Sequence, residues 1–366
     1  MFLHNPITGA FGLDIGDRSI KLVQLTKHLV PLRRGSFAIK EIRELSMPVG
    51  YIVEGEIQQP EMVRKKLSLL LGKEGSFPDI GSPWVVADLP EPKTFLKLIE
   101  LSVPPAEITT EDVLFQAKKH LPFEAEDTYF DWQIVHAGSK SDRTKVLLGA
   151  VQKTIADSYT YLLESLQLKP LALEIQAIAL CRAMITGTKD YEGEARVIID
   201  LGATRSSLIV YDQDTPQFST SLTFSSELVR DAIAKGLGIE SEAAEKLKNE
   251  VGFTYDKSNP KYLKIIDTLS AKLIEEIKRA LIFYAEHFED ANPVTHITLC
   301  GGLARLKNLE AVLSKEFKIS TALGHPWKNI FNAPVERYDA DDGLTFATAI
   351  GLGLRAARNP LEEYRL

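Results

Sequence analysis

The chain has only two cysteines, Cys181 and Cys300, among its 366 residues. Two isolated cysteines cannot form the disulfide framework of a small secreted domain, and their spacing matches no cysteine-based metal site. This low cysteine content suits a reducing compartment. We therefore expect a cytoplasmic protein.

Long apolar runs are also missing. No stretch approaches the ~20 apolar residues that a membrane-spanning helix needs. The N-terminal stretch Met1–Gly16 shows no basic region followed by an apolar core, as a secretory signal would. The last residues, Asn359–Leu366, are too short and too acidic for a membrane-binding amphipathic helix. We expect no direct insertion into a membrane.

Positive charge is not in excess. The 43 lysines and arginines are outnumbered by 50 acidic residues, which gives a formal net charge of −7 and argues against a general nucleic-acid binder. The contents of 45% hydrophobic and 25% charged residues are ordinary for a soluble globular protein. A chain of this length is expected to form about two domains, each with its own core.

Two segments share one pattern of strand, tight turn and strand. In Arg196–Tyr211 an apolar run ends at Asp200, and a glycine-containing bend leads into further apolar residues. The stretch Phe11–Leu25 aligns with it without a gap, so that Asp14 falls on Asp200 and each is followed two residues later by glycine. The pattern predicts two β-hairpins and a duplicated fold.

Hairpins of this kind are suited to phosphate binding. Backbone N–H groups in a tight turn converge on an anion, and glycine lets the main chain come close. A carboxylate at the rim can hold Mg²⁺ through water, because this ion sheds its water reluctantly. One Asp-x-Gly is only a turn signal, but two facing hairpins would hold a nucleotide from both sides. Lys21 of the first hairpin lies where the second hairpin has Ser207. Because only one hairpin carries a cation, we expect the two hairpins to have unequal roles in phosphate binding.

The stretch from Leu89 to Gly149 is punctuated by prolines. A predicted helix, Thr110–His120, alternates there with predicted strands at Thr128–Val135 and Thr144–Val151. We interpret this stretch as a small α+β insertion of about 60 residues, the size of a minimal domain. The Lys-Lys-His cluster at residues 118–120 is interpreted as a solvated helix end rather than a binding site.

Two further segments carry acids that allow alternative interpretations. The apolar run Leu171–Met184 predicts a buried helix with Glu174 near its start. Such an acid often only balances the dipole of its own helix, but near a nucleotide it could orient or activate a water. In the predicted helix Ser241–Glu250, Glu245 and Lys248 lie one turn apart. Taken alone, this spacing indicates an exposed ion pair that stabilises the helix by ~0.2–0.5 kcal/mol.

Glycine marks two C-terminal segments. His296–Leu303 predicts a strand that ends in a Gly-Gly pair and leads into a helix, Leu306–Phe317. This arrangement places free backbone N–H groups at a helix start, where a nucleotide can lie against the main chain. The last predicted helix, Gly343–Arg358, is rich in alanine and glycine. Since glycine lowers helix stability, its presence indicates close approach to another backbone.

In this order, the segments resemble the superfamily of actin, sugar kinases and heat-shock chaperone ATPases. More specifically, the chain resembles the PilM family, the actin-like proteins of type IV pilus assembly. The features that carry this resemblance are KKHLPFEAEDTYFDWQIV in the insertion, AEKLKNEVGF, and HPWKNI followed by TAIGLGLRA. It extends from Phe11 to about Arg358.

The resemblance implies an α/β, actin-like ATPase fold of the duplicated, ribonuclease H-like type. Two lobes would enclose a nucleotide cleft, with the small α+β insertion as a separate subdomain. The expected first lobe comprises residues 1–88, residues 150–190 and the C-terminal helix 343–358. The insertion would span residues 89–149, and the second lobe residues 191–342.

It also implies ATP or ADP, with Mg²⁺, as cofactors. The residues expected to bind the nucleotide are Asp14, Gly16, Ser19 and Lys21 in the first phosphate motif, Asp200, Gly202, Ala203 and Thr204 in the second, Glu245 and Lys248 beside adenine and ribose, and Gly301 and Gly302 in the adenosine motif. Asp14 and Asp200 would hold Mg²⁺ through water, and Glu174 would position the attacking water.

The second hairpin departs from the superfamily pattern. It reads LGATRSS, with Ala203 and Arg205 in a turn where strong hydrolases tend to carry more glycine. We therefore expect ATP binding and, at most, a slow ATPase.

The partner implied by the resemblance is PilN, a single-span inner-membrane protein whose N-terminal cytoplasmic tail would bind in a groove beside the insertion. No residue can be assigned to that groove from the sequence. The resemblance also implies other pilus assembly proteins of the inner membrane as partners, namely PilO through PilN, the motor ATPase and the platform protein. The protein would be cytoplasmic and associated with the inner membrane only through these partners, and a homo-oligomer is left open.

Two alternatives remain at this point. A phosphotransfer enzyme of the sugar-kinase branch would need a catalytic base that faces a polar substrate cleft. A cell-division actin homologue resembling FtsA is the other, and the lack of a C-terminal membrane helix in the sequence counts against it.

Overall fold

The computed structural model describes residues 7–27, 37–75, 77–135, 144–187, 189–255, 258–330 and 342–358. Within these ranges, no helix has the length and apolar character needed to cross a membrane.

The strands form two large sheets and one short two-stranded ladder. In chain order they are β1 (Phe11–Ile15), β2 (Ser19–Lys27), β3 (Phe37–Ser46), β4 (Ile52–Val53), β5 (Glu56–Ile57), β6 (Trp84–Leu89), β7 (Thr94–Leu101), β8 (Thr128–Val135), β9 (Thr144–Gln152), β10 (Lys169–Ile175), β11 (Ala195–Leu201), β12 (Ser206–Asp212), β13 (Thr215–Leu222), β14 (Val294–Cys300) and β15 (Ser320–Leu323).

The helices of the described residues cover the sheets and connect their strands. They are α1 (Pro60–Leu71), α2 (Thr110–Ala117), α3 (Lys153–Ser165), α4 (Gln176–Met184), α5 (Ser226–Leu237), α6 (Ser241–Val251), α7 (Pro260–His287), α8 (Leu309–Phe317) and α9 (Ala347–Arg358).

The first sheet has the strand order β10-β6-β1-β2-β3. Strands β1 and β2 form the predicted N-terminal hairpin, in which Asp14 lies opposite Lys21. Strand β6 runs parallel to β1, and β10 runs parallel to β6, with Glu174 beside Asp88. The carboxyl ends of these three strands therefore meet at one edge, which is where open α/β sheets bind ligands.

The second sheet has the order β15-β14-β11-β12-β13-β7-β9-β8. Strands β11 and β12 form the second predicted hairpin, with Asp200 opposite Ser207, and β14 runs parallel to β11. Asp200 thus occupies the register position that Asp14 has in the first hairpin. The duplication predicted from the sequence is confirmed.

The strands of the insertion extend the second sheet instead of forming a sheet of their own. Strand β7 pairs with β13 through Phe218 and Lys97, and β9 and β8 follow beyond it. Helix α2 covers them, and Val113 packs there with Val146 and Leu148 in a small separate core. Helix α2 ends at Ala117, so the predicted end at His120 was three residues too late.

Three predicted helices begin later than expected. The first residues of Leu171–Met184 belong to β10, and α4 begins only at Gln176. That single-helix prediction was wrong, because a short apolar run does not distinguish a strand from a buried helix. Helix α8 begins at Leu309, after one 3₁₀ turn, and α9 begins at Ala347, also after a 3₁₀ turn.

Helices α4 and α9 pack against each other, α9 on the first sheet and α4 towards the second. Their backbones approach closely. A Cβ atom on Gly351 would overlap the carbonyl oxygen of Ala179, and one on Gly12 would overlap the backbone nitrogen of Gly353. The close approach predicted from the small residues of the last helix is confirmed.

We expect Gly351→Ala to destabilise the protein by about 1–3 kcal/mol, because the added methyl group meets a rigid carbonyl in a packed interior. Gly236→Ala is the matched control in helix α5, since its Cβ would meet only the flexible end of the Ile265 side chain. That control should be neutral or gain up to ~1 kcal/mol of helix propensity. Urea unfolding measures both, and equal effects would contradict the close contact.

Candidate functional site

One cavity of about 620 Å³ lies between the two hairpins. The structure brings to its wall the residues that the resemblance assigned to nucleotide and Mg²⁺, namely Asp14, Gly16, Ser19, Lys21, Asp200, Gly202, Ala203, Thr204, Glu245, Lys248, Gly301 and Gly302. Glu174 is not part of that wall. A volume of this size lies within the ~300–1,000 Å³ range of small-molecule sites.

The two hairpin turns are built in the same way. The N–H of Gly16 donates to the carbonyl of Ser19, and the N–H of Gly202 donates to the carbonyl of Arg205, both at 3.0 Å. A Cβ atom on Gly202 would overlap the Arg205 oxygen, so the second turn needs glycine. The N-terminus of α5 is bonded to this turn through Glu227 N and Ala203 O at 2.9 Å. Its positive dipole end therefore lies beside the turn, where it favours an anion.

Three aspartates, of which Asp14 and Asp88 are buried and Asp200 is half-buried, converge on the cavity from the ends of β1, β6 and β11. Asp14, Asp88 and Asp200 all line it. Burial raises the pKa of Asp14, and the ammonium of Lys21, 4.0 Å from its carboxylate, only partly offsets this. Burial and then the charge of Asp14 raise the pKa of Asp88 well above its usual range. The site thus holds more negative charge than Lys21 balances.

The third carboxylate, that of Asp200, also has a raised pKa and lies beside the start of helix α4. Burial, followed by the charge of Asp14, raises its pKa to about 6. Its Oδ2 accepts a hydrogen bond from Nε2 of Gln176 at 3.3 Å, and the same nitrogen donates to Oγ1 of Thr348 at 3.1 Å. Gln176 is the first residue of α4, so the start of this helix places a side-chain amide at the wall of the cavity.

The donor set fits a hydrated divalent cation. Within the described ranges, no group of three His, Cys, Asp or Glu side chains is arranged to ligate a metal directly. Mg²⁺ accepts such a site because it keeps several waters and needs only one or two carboxylates plus phosphate oxygens. Its charge would relieve the repulsion between Asp14 and Asp200.

Gly301 lies against the second hairpin. Its φ is +83°, and a Cβ atom there would overlap Oδ1 of Asp200 and the carbonyl of Leu201. Glycine is thus required both by its backbone conformation and by the close contact. Gly302 opens a 3₁₀ turn, Gly302–Arg305, so the chain forms this turn before the predicted helix begins at Leu309.

Lys248 and Glu245 do not form the exposed pair that the alternative interpretation described. The Lys248 side chain is 1% exposed. Its ammonium binds both carboxylate oxygens of Glu245, at 2.8 and 2.7 Å, and Oγ of Ser226 at 2.5 Å. The pair therefore links α6 to the start of α5 at the wall of the cavity.

Glu174 requires a correction. It lies on β10 and is 2% exposed, and its carboxylate binds Arg182 at 2.7 and 2.8 Å and Arg355 at 2.8 Å. Burial alone would raise its pKa, but the two guanidinium groups hold it below the usual value. A carboxylate occupied in this way, outside the cavity wall, cannot position a water there. Its role is to tie α4 and α9 to β10.

Sequence reasoning missed Asp88, Gln176 and Glu91 as cavity residues. Glu91 follows β6 and Asp88, and burial raises its pKa to about 7, while the Ser221 hydroxyl that donates to it acts in the opposite direction. The strand end at Asp88 was a usable signal for Glu91. Nothing in the sequence marked Gln176, because the start of α4 was hidden inside a continuous apolar run.

Polar contacts bridge the cavity between the first hairpin side and the second. They are Arg18 with Glu227 at 2.5 and 3.0 Å, Asp17 with Thr204 at 3.2 Å, and Glu54 with Arg205 at 2.6 Å. Asp17 also accepts the N–H groups of Glu54 and Gly55, each at 3.1 Å. The turns of the two hairpins are therefore tied to each other directly.

The raised pKa of Asp200 predicts a pH-dependent stability. The carboxyl group is more easily protonated in the folded chain, so its contribution to stability is complete below pH 3.8 and is lost as the pH rises to about 6. At pH 7.5, without Mg²⁺ and nucleotide, we expect Asp200→Asn to raise the free energy of unfolding by about 1–3 kcal/mol. Urea unfolding should show this gain shrinking towards pH 4.

Asp212→Asn is the matched control, because Asp212 is also an interior aspartate, buried more deeply than Asp200, but its carboxylate accepts bonds from Tyr284 Oη at 2.5 Å and from Asn292 Nδ2 at 2.9 Å. That variant should lose stability, since a buried group with its partners in place has been altered. A loss for Asp200→Asn at every pH would contradict the strain assigned to the cavity.

Comparison with known proteins gives one family and several similar folds. A family model described as type IV pilus assembly protein PilM matches residues 12–357. A solved structure described as the PilM-PilN type IV pilus biogenesis complex is 23% identical, covers 96% of this chain and 99% of that chain, and has a TM-score of 0.77. A diol dehydratase-reactivating factor in nucleotide-free form is 10% identical, with coverages of 94% and 98% and a TM-score of 0.53.

Likeness at these identities shows the fold, and the actin-like architecture predicted from the sequence is confirmed. The family model extends over nearly the whole chain, from the first hairpin to the last helix. The chain belongs to the family of the type IV pilus assembly protein PilM.

Proposed function

We propose that this protein is an ATP-binding adaptor of type IV pilus assembly. It binds Mg-ATP or Mg-ADP in the cleft between its two lobes and the N-terminal cytoplasmic tail of PilN elsewhere on its surface. The observation that carries the nucleotide half is the convergence of Asp14, Asp88 and Asp200 with two matching glycine turns on one cavity of about 620 Å³. The proposal keeps the lobes as residues 1–88, 150–190 and 343–358 against 191–342, with 89–149 as the insertion.

In this proposal the two turns hold the phosphates. Lys21 supplies a positive charge on one side, and Thr204 and the N-terminus of α5 supply donors on the other. Mg²⁺, held through water by Asp14 and Asp200, neutralises the phosphates when bound. Glu245 and Lys248, with Gly301 and Gly302, lie at the part of the wall that would receive the adenosine.

Hydrolysis is at most slow in this account. Glu174, the acid assigned to water positioning, is bound to Arg182 and Arg355. The side chain that reaches the cavity from the same strand-to-helix junction is the amide of Gln176. An amide can orient a water but does not accept its proton, so ATP binding, rather than turnover, is the proposed working state.

The partner half of the proposal is supported by the family membership and by the fold shared with a structure described as a PilM-PilN complex. Through PilN the protein would reach PilO, and it would also meet the motor ATPase and the platform protein. It would then be cytoplasmic and held at the inner membrane by these partners. Membership in a pilus assembly family favours this adaptor over the sugar-kinase and FtsA-like alternatives.

Nucleotide would control the partner through the contacts that bridge the cleft. Arg18 and Glu227 join the two sides next to the phosphate turns. A nucleotide that binds the closed arrangement better shifts the equilibrium towards it, by as much as its affinities for the two arrangements differ.

We expect the wild-type protein to bind Mg-ATP in calorimetric titrations. Asp14→Ala should weaken this binding at least ~10-fold, about 1.4 kcal/mol, because the cation loses one carboxylate. Removal of Mg²⁺ with EDTA should bring the wild type to the level of the variant. Asp267→Ala, an exposed acid on α7, is the control and should bind as the wild type does. Absence of ATP binding at millimolar concentration would disprove the phosphate site.

We expect a synthetic peptide of the PilN tail from the same organism to bind, with an affinity that changes when Mg-ATP is added. Arg18→Met should make that change smaller, because the ion pair with Glu227 across the cleft is removed. Arg64→Met, which removes an exposed pair with Glu61 on α1, should leave the change intact. Fluorescence anisotropy of the labelled peptide measures all three. Failure of the peptide to bind would end the partner half of the proposal and leave the nucleotide half standing.

A further inference from the structure

Strands β7 and β13 meet at one residue pair and then separate. Phe218 and Lys97 form the pair recorded between them. Beyond this point β13 continues to Leu222 with β12 on its other side, but its outer edge does not continue pairing with β7 in the described chain. The junction between the insertion and the second lobe is therefore an opened seam in an otherwise continuous sheet.

A groove follows this seam. A cavity of about 590 Å³ lies on one side of Lys97 and His120, and a cavity of about 260 Å³ on the other, and both residues line both cavities. The larger cavity is lined by β7, by β13, by the residues that follow α2 and by helix α7. We call the larger cavity the seam groove; it is lined by Phe95–Lys97, Lys119, His120, Phe218–Leu222, Glu276, Arg279, Ala280 and Phe283.

The seam groove carries positive charge without carboxylate partners. Lys97, Lys119 and Arg279 line it, and none of them forms an ion pair with a described residue. The Lys97 ammonium lies 3.4 Å from Nδ1 of His120 and 5.4 Å from the centre of the Phe283 ring. Burial, followed by the charges of Lys97 and Lys119, lowers the pKa of His120, which reflects the same excess of positive charge.

One acidic residue lines the groove together with these cations, and its carboxylate accepts hydrogen bonds from a neighbouring threonine. This residue is Glu276, and the bonds come from Thr223 N at 3.0 Å and Thr223 Oγ1 at 2.6 Å. In the smaller cavity, by contrast, Lys145 has acidic partners in Asp290 at 3.3 Å and Glu100 at 3.9 Å. Three cationic side chains and one carboxylate line the seam groove, so positive charge is in excess there, on a chain whose net charge is −7.

Aromatic and aliphatic side chains share the groove with these cations. Phe95 and Phe283 are half-buried, while Phe218 and Leu222 are buried beneath them. The backbone of Ser219 and Thr220 lies at the outer edge of β13. Cations, apolar surface and an unpaired strand edge together are what an extended peptide with acidic and apolar side chains would use.

We propose that the seam groove is a second docking site, for an extended acidic segment of a partner protein that also carries aromatic side chains. Its carboxylates would meet Lys97, Lys119 and Arg279, its aromatic side chains would lie on Phe95 and Phe283, and its main chain would follow the edge of β13. The site is separate from the nucleotide cleft and does not rest on the proposed binding of ATP or of the PilN tail.

This proposal changes the interpretation of the Lys-Lys-His cluster. Lys118 agrees with a solvated helix end, since it is exposed and lies 3.9 Å from Glu126. Lys119 and His120 instead line the seam groove. Because α2 ends at Ala117, the three residues no longer follow one helical face.

The test uses two labelled octapeptides and the full chain. The acidic probe holds two phenylalanines among six aspartates and glutamates, and the neutral probe carries the matching amides. In fluorescence anisotropy at low salt we expect the acidic probe to bind at least ~10-fold more tightly than the neutral one, and this preference should weaken as salt screens the charges. Equal binding of the two probes, or no binding, would overturn the proposal.

Two variants locate the binding. Lys97→Met keeps the side-chain stem over Phe283 and removes the charge, and Arg279→Met removes an exposed charge from α7. Each should weaken the acidic probe ~5-fold or more. Lys272→Met, an exposed lysine elsewhere on α7, is the control and should leave the affinity unchanged. An equal loss in the control would mean non-specific attraction and would refute the site.

Carbodiimide coupling gives an independent location, because it joins a bound carboxylate to the nearest amine. We expect mass spectrometry to find the acidic probe on Lys97 and Lys119 of the wild type. Should Lys97→Met fail to fold, Arg279→Met and the coupling sites still decide the question. Displacement of the probe by the PilN tail would show that the seam groove is the binding site of that tail. Tighter binding of a single-stranded oligonucleotide than of the acidic probe would show that the groove binds nucleic acid instead of a peptide. Either result would overturn a second peptide site.

Discussion

The arrangement of this molecule depends on three carboxylates that lie together where its two sheets meet. Asp14 and Asp88 are each less than a tenth exposed, Asp200 is half-buried, and all three line the same cavity. Burial raises the pKa of all three. Buried charges of one sign do not stabilise a fold, and apolar residues in their place are often neutral or stabilising. We infer that a divalent cation and phosphates complete this site. In their absence, burial and the repulsion between the carboxylates are the cause of the expected pH dependence of stability.

The rest of the architecture holds those carboxylates in place. Matching registers in the two hairpins put Asp14 and Asp200 at equivalent positions. The close contact of α4 with α9, which depends on Gly351, packs α4 against the helix that covers the first sheet. Glu174, with its two arginines, anchors both helices to the first sheet. The bridging contacts of Arg18 and Asp17 then join the hairpin turns to each other.

Much of this could be predicted from the sequence, and the exceptions have physical reasons. The hairpins were predictable because alternation, glycine and aspartate recur at the same spacing in both copies. Glu174 was misassigned because an apolar run gives no sign of where β10 ends and α4 begins. The burial of Lys248 depends on Ser226, which is distant in sequence. The seam groove could not be predicted from the sequence, because it forms where β7 separates from β13, and these strands are more than a hundred residues apart in the chain.

We infer that the three aspartates hold a hydrated cation together with nucleotide. Electron paramagnetic resonance of Mn²⁺, used in place of Mg²⁺, tests it directly on the whole chain. We expect one Mn²⁺ to bind tightly only when ATP or ADP is present, with phosphate oxygens and water as its ligands. Tight binding of Mn²⁺ without nucleotide, through direct carboxylate ligands, or no binding with nucleotide, would contradict the account.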